Sequence, residues 1–490
     1  MASILRKTKG PQSDAAFPPA DDLIKRIFLR RDYGTALGKF GLALLVAIQG
    51  INALRVNLLA LEPPYVYQKD FVQEYLLGKA VLTGTDPYLP LPELAARIAS
   101  WLPEPVFPHP TPHPPPVAIL CLPLALLSYE QAAVVWFGFE IACIWLAVFF
   151  FMGELRPDRS VRPVRSRLRR SRIWPVVATS VALMPERLKS ILRARMRPGS
   201  VVIALLALGW SPVREELSVG QIMLFILVLL IGAWLALRAG DAIRGGTWLG
   251  CVVALKLIGW PLIIFLLLRR NWRAAGAAIA VPVLANFAAG WLMGFDKVAD
   301  YYLKIGSSVW AIYRAYAYNF SLWSVGWRLF EGTGSPVFHA AEAPPLVTLP
   351  MAAQMVSYAL PLALLVFGLV LATRARSFDT AFGLLICVSI LVSPLAWSHY
   401  LTLAAIPAVI VARRLFALDW PRRETYLAAM IALSLSSPSV GLNRMALLFA
   451  VEEPVLGNAG IVPFAASLIT LIPAVALLGL FWLVWHSESV

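Results

Sequence analysis

Charge is what this sequence has least of. Only 14% of its 490 residues are Asp, Glu, Lys or Arg, against about 25% in soluble domains. A water-facing surface of ordinary polarity cannot be built from so few charges. Cysteine is scarce as well: Cys121, Cys143, Cys251 and Cys387 each lie inside an apolar run, and none is paired at metal-ligand spacing. They read as small core residues, with no disulfide and no zinc site expected. The strict polar–apolar alternation of a membrane barrel is missing, because the apolar runs are continuous. No internal repeat is present, whereas many secondary transporters are built from two related halves. A cleaved signal is not expected either, since about 37 mostly polar residues precede the first apolar run.

What the chain has in quantity is hydrophobic residues, 59% of the total, with a mean hydropathy of +0.71. Many apolar runs approach the ~20 residues a helix needs to cross ~30 Å of hydrocarbon. An all-α, polytopic transmembrane helix bundle of about ten to twelve spans is expected. The net charge of +15 falls between the apolar runs, as at Arg30-Arg31, Arg269-Arg270, Arg413-Arg414 and Arg422-Arg423. Basic residues so placed mark cytoplasmic loops, so the expected partner is membrane lipid and no nucleic acid. Residues 154–198 carry thirteen Lys and Arg against three acids, which predicts a cytoplasmic insertion. Counting every apolar run as a span would put that insertion outside. Two re-entrant segments, at 115–128 and at 247–268, the latter interrupted by Lys256 and Pro261, would resolve the conflict.

Two long polar loops, 62–114 and 295–345, are expected outside. Asp70 to Gly84 has helical periodicity, with Phe71, Tyr75, Leu76, Ala80 and Leu82 apolar or aromatic. That predicts an amphipathic helix in the membrane interface, ended by Gly84 and Asp86-Pro87. Asp70 and Glu74 share one face of it. A carboxylate at the membrane boundary suits a general base acting on a hydroxyl that attacks an anomeric carbon. Two solvated charges on an interfacial helix are the plainer alternative.

Lys256 and Arg55 are basic residues embedded in apolar runs, and such residues are functional candidates because their burial is costly. Either would suit a phosphate, although Arg55, near the end of its run, can also snorkel to the surface. Gln221 suits a sugar hydroxyl or a link between helices. Asn319 suits a sugar contact or a turn, and Asn-Phe-Ser also fits a glycosylation acceptor in a secretory pathway. His109 and His113 are four apart, but the prolines around them forbid a helix that would align them on a metal. Tryptophans such as Trp136, Trp210, Trp248 and Trp327 sit at run ends and are expected in interface belts. No Asp-x-Asp pair occurs in the predicted outer loops, so no metal cofactor is expected. That suits a lipid-phosphate donor whose charge is offset by Lys or Arg.

The pattern Asp70-Phe71-x-x-x-Tyr75-x-x-Gly78-x-Ala80-x-Leu82-x-Gly84-x-Asp86-Pro87-Tyr88, placed after a first span, resembles the family 87 glycosyltransferases. Further matches follow in order: Pro114-Pro115-Pro116, Gly220-Gln221, Gly250 with Lys256 and Pro261, Asn319-Phe320-Ser321-Leu322, and Ser393-Pro394 with Trp397 to Tyr400. Three features depart from that pattern: Leu257 where Pro is usual, Tyr400 where a second His is common, and the 154–198 insertion.

The resemblance implies a GT-C-type catalytic module over 38–415, between a basic cytoplasmic tail at 1–37 and C-terminal helices at 416–490. It implies an inverting transfer of a hexose, mannose in the best-known relatives, from a polyprenyl-phosphate carrier. The acceptor would be an envelope glycolipid or glycan on the outer face of an inner membrane. Asp70 would be the catalytic base. Lys256, Arg55 and His399 would meet the donor phosphate, and Glu74, Tyr75, Gln221 and Asn319 the sugar or acceptor. A flippase for lipid-linked sugars and a non-catalytic assembly factor are the rival expectations.

Overall fold

The computed structural model describes residues 36–103, 107–155, 198–335, 340–417, 421–451 and 460–489. Nearly all of the predicted basic tail and basic insertion lies outside the described residues. Within them the chain is an all-α, multi-pass membrane protein, with isolated bridges and no strand.

Four described helices are long and apolar enough to cross a membrane: Tyr129–Glu154, Trp272–Met293, Pro350–Arg374 and the stretch Phe464–His486. A fifth is counted if Arg422–Leu435 and Ser439–Leu447, bent by 83°, form one span. Leu44–Leu59, Met223–Arg238 and Phe378–Leu391 are apolar but shorter. Among the described residues, helices that cross uninterrupted are therefore fewer than the ten to twelve spans expected, because several apolar runs are broken. The 247–268 run divides into helices Ala242–Lys256 and Trp260–Leu268. Gly259 between them has φ 83°, and Pro261 opens the second helix. The run after Leu391 resumes only as a 3-10 turn, Ser398–Ala404, before helix Ala405–Ala417.

The 378–391 helix is buried at every position from Thr380 to Leu391, as expected of a helix apolar all round. Around it the helices approach closely where residues are small. A Cβ at Gly246 would stand 2.2 Å from the Ala274 carbonyl oxygen, and one at Gly250 would stand 2.7 Å from Val281 Cβ. Backbone contact of this kind is how membrane helices gain packing energy without a hydrophobic driving force.

The 62–114 loop carries two helices, Phe71–Thr83 and Leu91–Ile98. Gly84 ends the first, its N–H bonding to Ala80 and Val81. That helix is buried over Phe71–Gly78 and at Ala80, so it is enclosed on nearly all sides. The amphipathic member is 91–98, which buries Leu91, Leu94 and Ala95 and exposes the Glu93–Arg97 pair.

One end of the bundle is tied by charge. Arg238 Nη2 lies 2.6 Å from Glu154 Oε1, and Arg413 Nη1 lies 3.0 Å from Asp379 Oδ2. Arg238–Asp379 and Arg413–Glu154 contacts at 3.4 and 3.3 Å close the network. The residues at the opposite ends of two of these elements, Gln221 ahead of Met223–Arg238 and His399 ahead of Ala405–Ala417, border one cavity.

Candidate functional site

The site begins with Lys69, whose ammonium is buried and donates to the carbonyls of Leu217 at 2.8 Å and Ser218 at 2.7 Å. The short helix Ser211–Val219 ends immediately afterwards at Gly220, with φ 73°. A Cβ at Gly220 would lie 3.1 Å from Phe71 Cβ. Glycine is thus required twice over, for the left-handed backbone and for the close approach. Trp136 Nε1 donates to the Gly220 carbonyl at 2.8 Å. Together these contacts hold residues 69–71 beside residues 217–221.

That juxtaposition sets the chemistry. Asp70 occupies the N-cap position of the 71–83 helix, yet its side chain makes no capping bond. Its Oδ2 instead accepts from Gln221 Nε2 at 3.2 Å. Gln221 Oε1 accepts from Lys256 Nζ at 2.9 Å, and that ammonium also lies 5.4 Å from the centre of the Tyr400 ring. Lys256 is the last residue of its helix, at the break before Gly259. Irregular backbone at membrane depth is tolerated where it lines a cavity, and both Lys256 and Leu257 do.

The cavity encloses about 850 Å³. Asp70, Gln221, Lys256 and His399 are polar groups in its lining, and Trp310, Tyr313, Tyr316, Trp323 and Trp397 give it an aromatic side. Glu215 lines it too. Its Oε1 accepts from the Ser439 N–H at 3.0 Å, and its Oε2 from the hydroxyls of Ser439 at 3.1 Å and of Ser398. Asp70 keeps part of its surface open to the cavity. Burial, and then the Glu74 carboxylate, push its carboxyl up to about 7, against the opposing pull of the Gln221 hydrogen bond, Lys256 and Lys69.

Of the residues singled out from sequence, the fold brings Asp70, Gln221, Lys256 and His399 to one cavity. Four others are elsewhere. Arg55 is exposed on helix Ala36–Leu59. Glu74 is fully buried behind Asp70, its Oε1 3.1 Å from His113 Nε2, and burial pushes that imidazole's pKa down. Tyr75 is buried and donates to the Leu127 carbonyl at 2.9 Å. Asn319 uses its whole amide on backbone: Nδ2 donates to Tyr313 and Pro394, and Oδ1 accepts from Ser321 and Ala396. It fixes the 295–345 loop to the 394–396 turn.

His109 and His113 diverge. A carbonyl can only accept, so His109 Nδ1 donates to Pro110 at 2.7 Å and Nε2 accepts from the Tyr313 hydroxyl at 2.8 Å. Trp136 and Trp327, expected in interface belts, are buried in the protein. The residues that sequence reasoning missed are Glu215 and the aromatic side. The signal for Glu215 was present, since a polar stretch, Arg214-Glu215-Glu216, interrupts two apolar runs. The aromatics of 301–323 gave no local sign of which faced inward.

A base, a cation and an aromatic side around one cavity suit chemistry on a sugar: stacking for the ring, the cation for a leaving phosphate, the carboxylate for a hydroxyl proton. The model of glycosyltransferase family 87 matches residues 112–394, more than half of the chain. That stretch contains Gln221, Lys256 and most of the aromatic side, while Asp70 precedes it and His399 follows it. No curated protein and no solved structure matches the chain.

Proposed function

The chain belongs to glycosyltransferase family 87, and from that premise we propose that it transfers a hexosyl unit, mannose, from polyprenyl phosphate to an envelope glycolipid or glycan. The observation that carries this reading is the Asp70 carboxylate facing a cavity that also holds Lys256, the two joined through Gln221. A carrier phosphate is itself the leaving group, so no metal-bound diphosphate is needed. Asp70 takes the proton from the acceptor hydroxyl as its oxygen bonds to the anomeric carbon. The carbon–oxygen bond to phosphate breaks, its electron pair leaves with the phosphate, and Lys256 offsets the charge that develops. His399, buried at the cavity edge, supplies a second contact to that phosphate or to the sugar. A single displacement inverts the anomeric centre and turns a β-linked carrier sugar into an α-linked product. The reaction is assigned to the outer face of the inner membrane.

The experiment is an assay of purified protein with polyprenyl-phosphate mannose and extracted envelope lipids, the product read by mass spectrometry. An α-mannosylated lipid that disappears in Asp70→Asn is the expected result. Transfer by Asp70→Asn at the wild-type rate would sink the mechanism. Movement of the donor across vesicles without any new glycosidic product would favour a flippase.

A further inference from the structure

Asp70 and Lys256 have opposite charge and border one cavity, yet their contact runs through a neutral amide. The orientation of that amide is dictated by its neighbours. An ammonium only donates, so it takes the carbonyl oxygen of Gln221, and the NH2 is left for Asp70. A hydrogen bond donated to a carboxylate favours its charged form, and does so without bringing a full cation against it. The backbone of Gln221 is fixed as well. Gly220 packs on Phe71 and bonds to Trp136, while Glu216 accepts the N–H groups of Met223 and Leu224 just beyond.

A direct Asp70–Lys256 ion pair would weaken both partners. The carboxylate would become a poorer base, and the ammonium would be occupied before a phosphate arrived. We infer that Gln221 is a positioning residue, a neutral spacer that keeps the base and the phosphate-binding cation linked but unpaired. The inference rests on the proposed roles of Asp70 and Lys256. Asp70 is faced by Lys69 on its own segment, Glu74 on the 71–83 helix, Lys256 at the end of 242–256, Tyr129 on 129–154 and Tyr313 on the helix Gly306–Tyr313. Lys256 is faced in turn by Glu216, His113 and His399.

The test is the pH–rate profile of the full chain with polyprenyl-phosphate mannose and extracted envelope lipids. Gln221→Ala removes the spacer and lets the charges meet. It should lower kcat by at least about tenfold, raise the donor KM and move the acid limb to lower pH. Gln221→Leu fills the same space but makes no hydrogen bond, so its acid limb should move to higher pH. Gln221→Glu, usable if the alanine variant fails to fold, sets a like charge against Asp70 and should also move the limb up. Identical profiles for the alanine and leucine variants would overturn the inference, as would an unmoved limb in the folded variants. Full activity of Asp70→Asn would instead overturn the base assignment on which the inference stands.

Discussion

Asp70 sits where an aspartate ordinarily caps a helix, an interaction worth about 1 kcal/mol, and it leaves that role unfilled. Its carboxyl is also held up to about 7 by burial and by Glu74. Between its ordinary value and about 7 the folded protein holds this proton more tightly than the unfolded chain does. Stability therefore falls as pH rises through that window. Asp70→Asn should remove the loss: it should melt higher than wild type in detergent at pH 8, with the difference vanishing near pH 4, while transfer falls by about 10²–10⁴-fold. Lys256→Met should act on the donor, lowering kcat/KM by about 10²-fold with a raised donor KM. Lys256 was legible as a cation inside an apolar run, Gln221 as a polar residue opening one, and Asp70 as a carboxylate at the expected membrane boundary. The Glu74–His113 pair was not, since the two residues are buried against each other by a contact that no local pattern encodes.

At the scale of elements, the site depends on residues 217–221 lying flat against residues 69–71. Gly220→Ala would force a Cβ both into a left-handed backbone and to 3.1 Å from Phe71 Cβ. A loss of about 1–2 kcal/mol is expected from the backbone alone, read as a lower melting temperature, with transfer reduced further because Gln221 is displaced. The 71–83 helix and its stop at Gly84 were plain in the sequence, as was the interruption at Lys256 and Pro261. The surroundings of 71–83 were not. Its apolar spacing fits an interfacial helix, and only the covering elements, Pro116–Cys121 and Tyr129–Glu154 among them, convert it into a buried one. Trp136 shows the same limit, because a tryptophan near a span end serves equally as a belt residue or as the donor to Gly220.

For the whole molecule, the all-helical membrane architecture was evident from hydropathy and scarce charge. The number of unbroken spans was not, because apolar runs do not reveal where a helix stops inside the membrane. The proposed orientation has a direct test. The described cysteines are free, and Cys121, Cys143 and Cys387 are buried, so an introduced thiol stands out. Ser307→Cys, exposed at the cavity rim, should react with a membrane-impermeant maleimide from outside intact cells. Arg376→Cys, also exposed, should react only after permeabilisation.

The charge network bears on how the cavity keeps its shape. Glu154, Arg238, Asp379 and Arg413 fasten one end of Met223–Arg238, and the cavity lies at the other, about 24 Å away along a helix of this length. At that other end the helix is tied as well, through Glu216, which accepts the N–H groups of Met223 and Leu224, and through Trp136, which donates to the Gly220 carbonyl. Held at both ends, Met223–Arg238 is a strut, so widening of the cavity falls to the other elements around it and Gln221 keeps its place while a substrate enters.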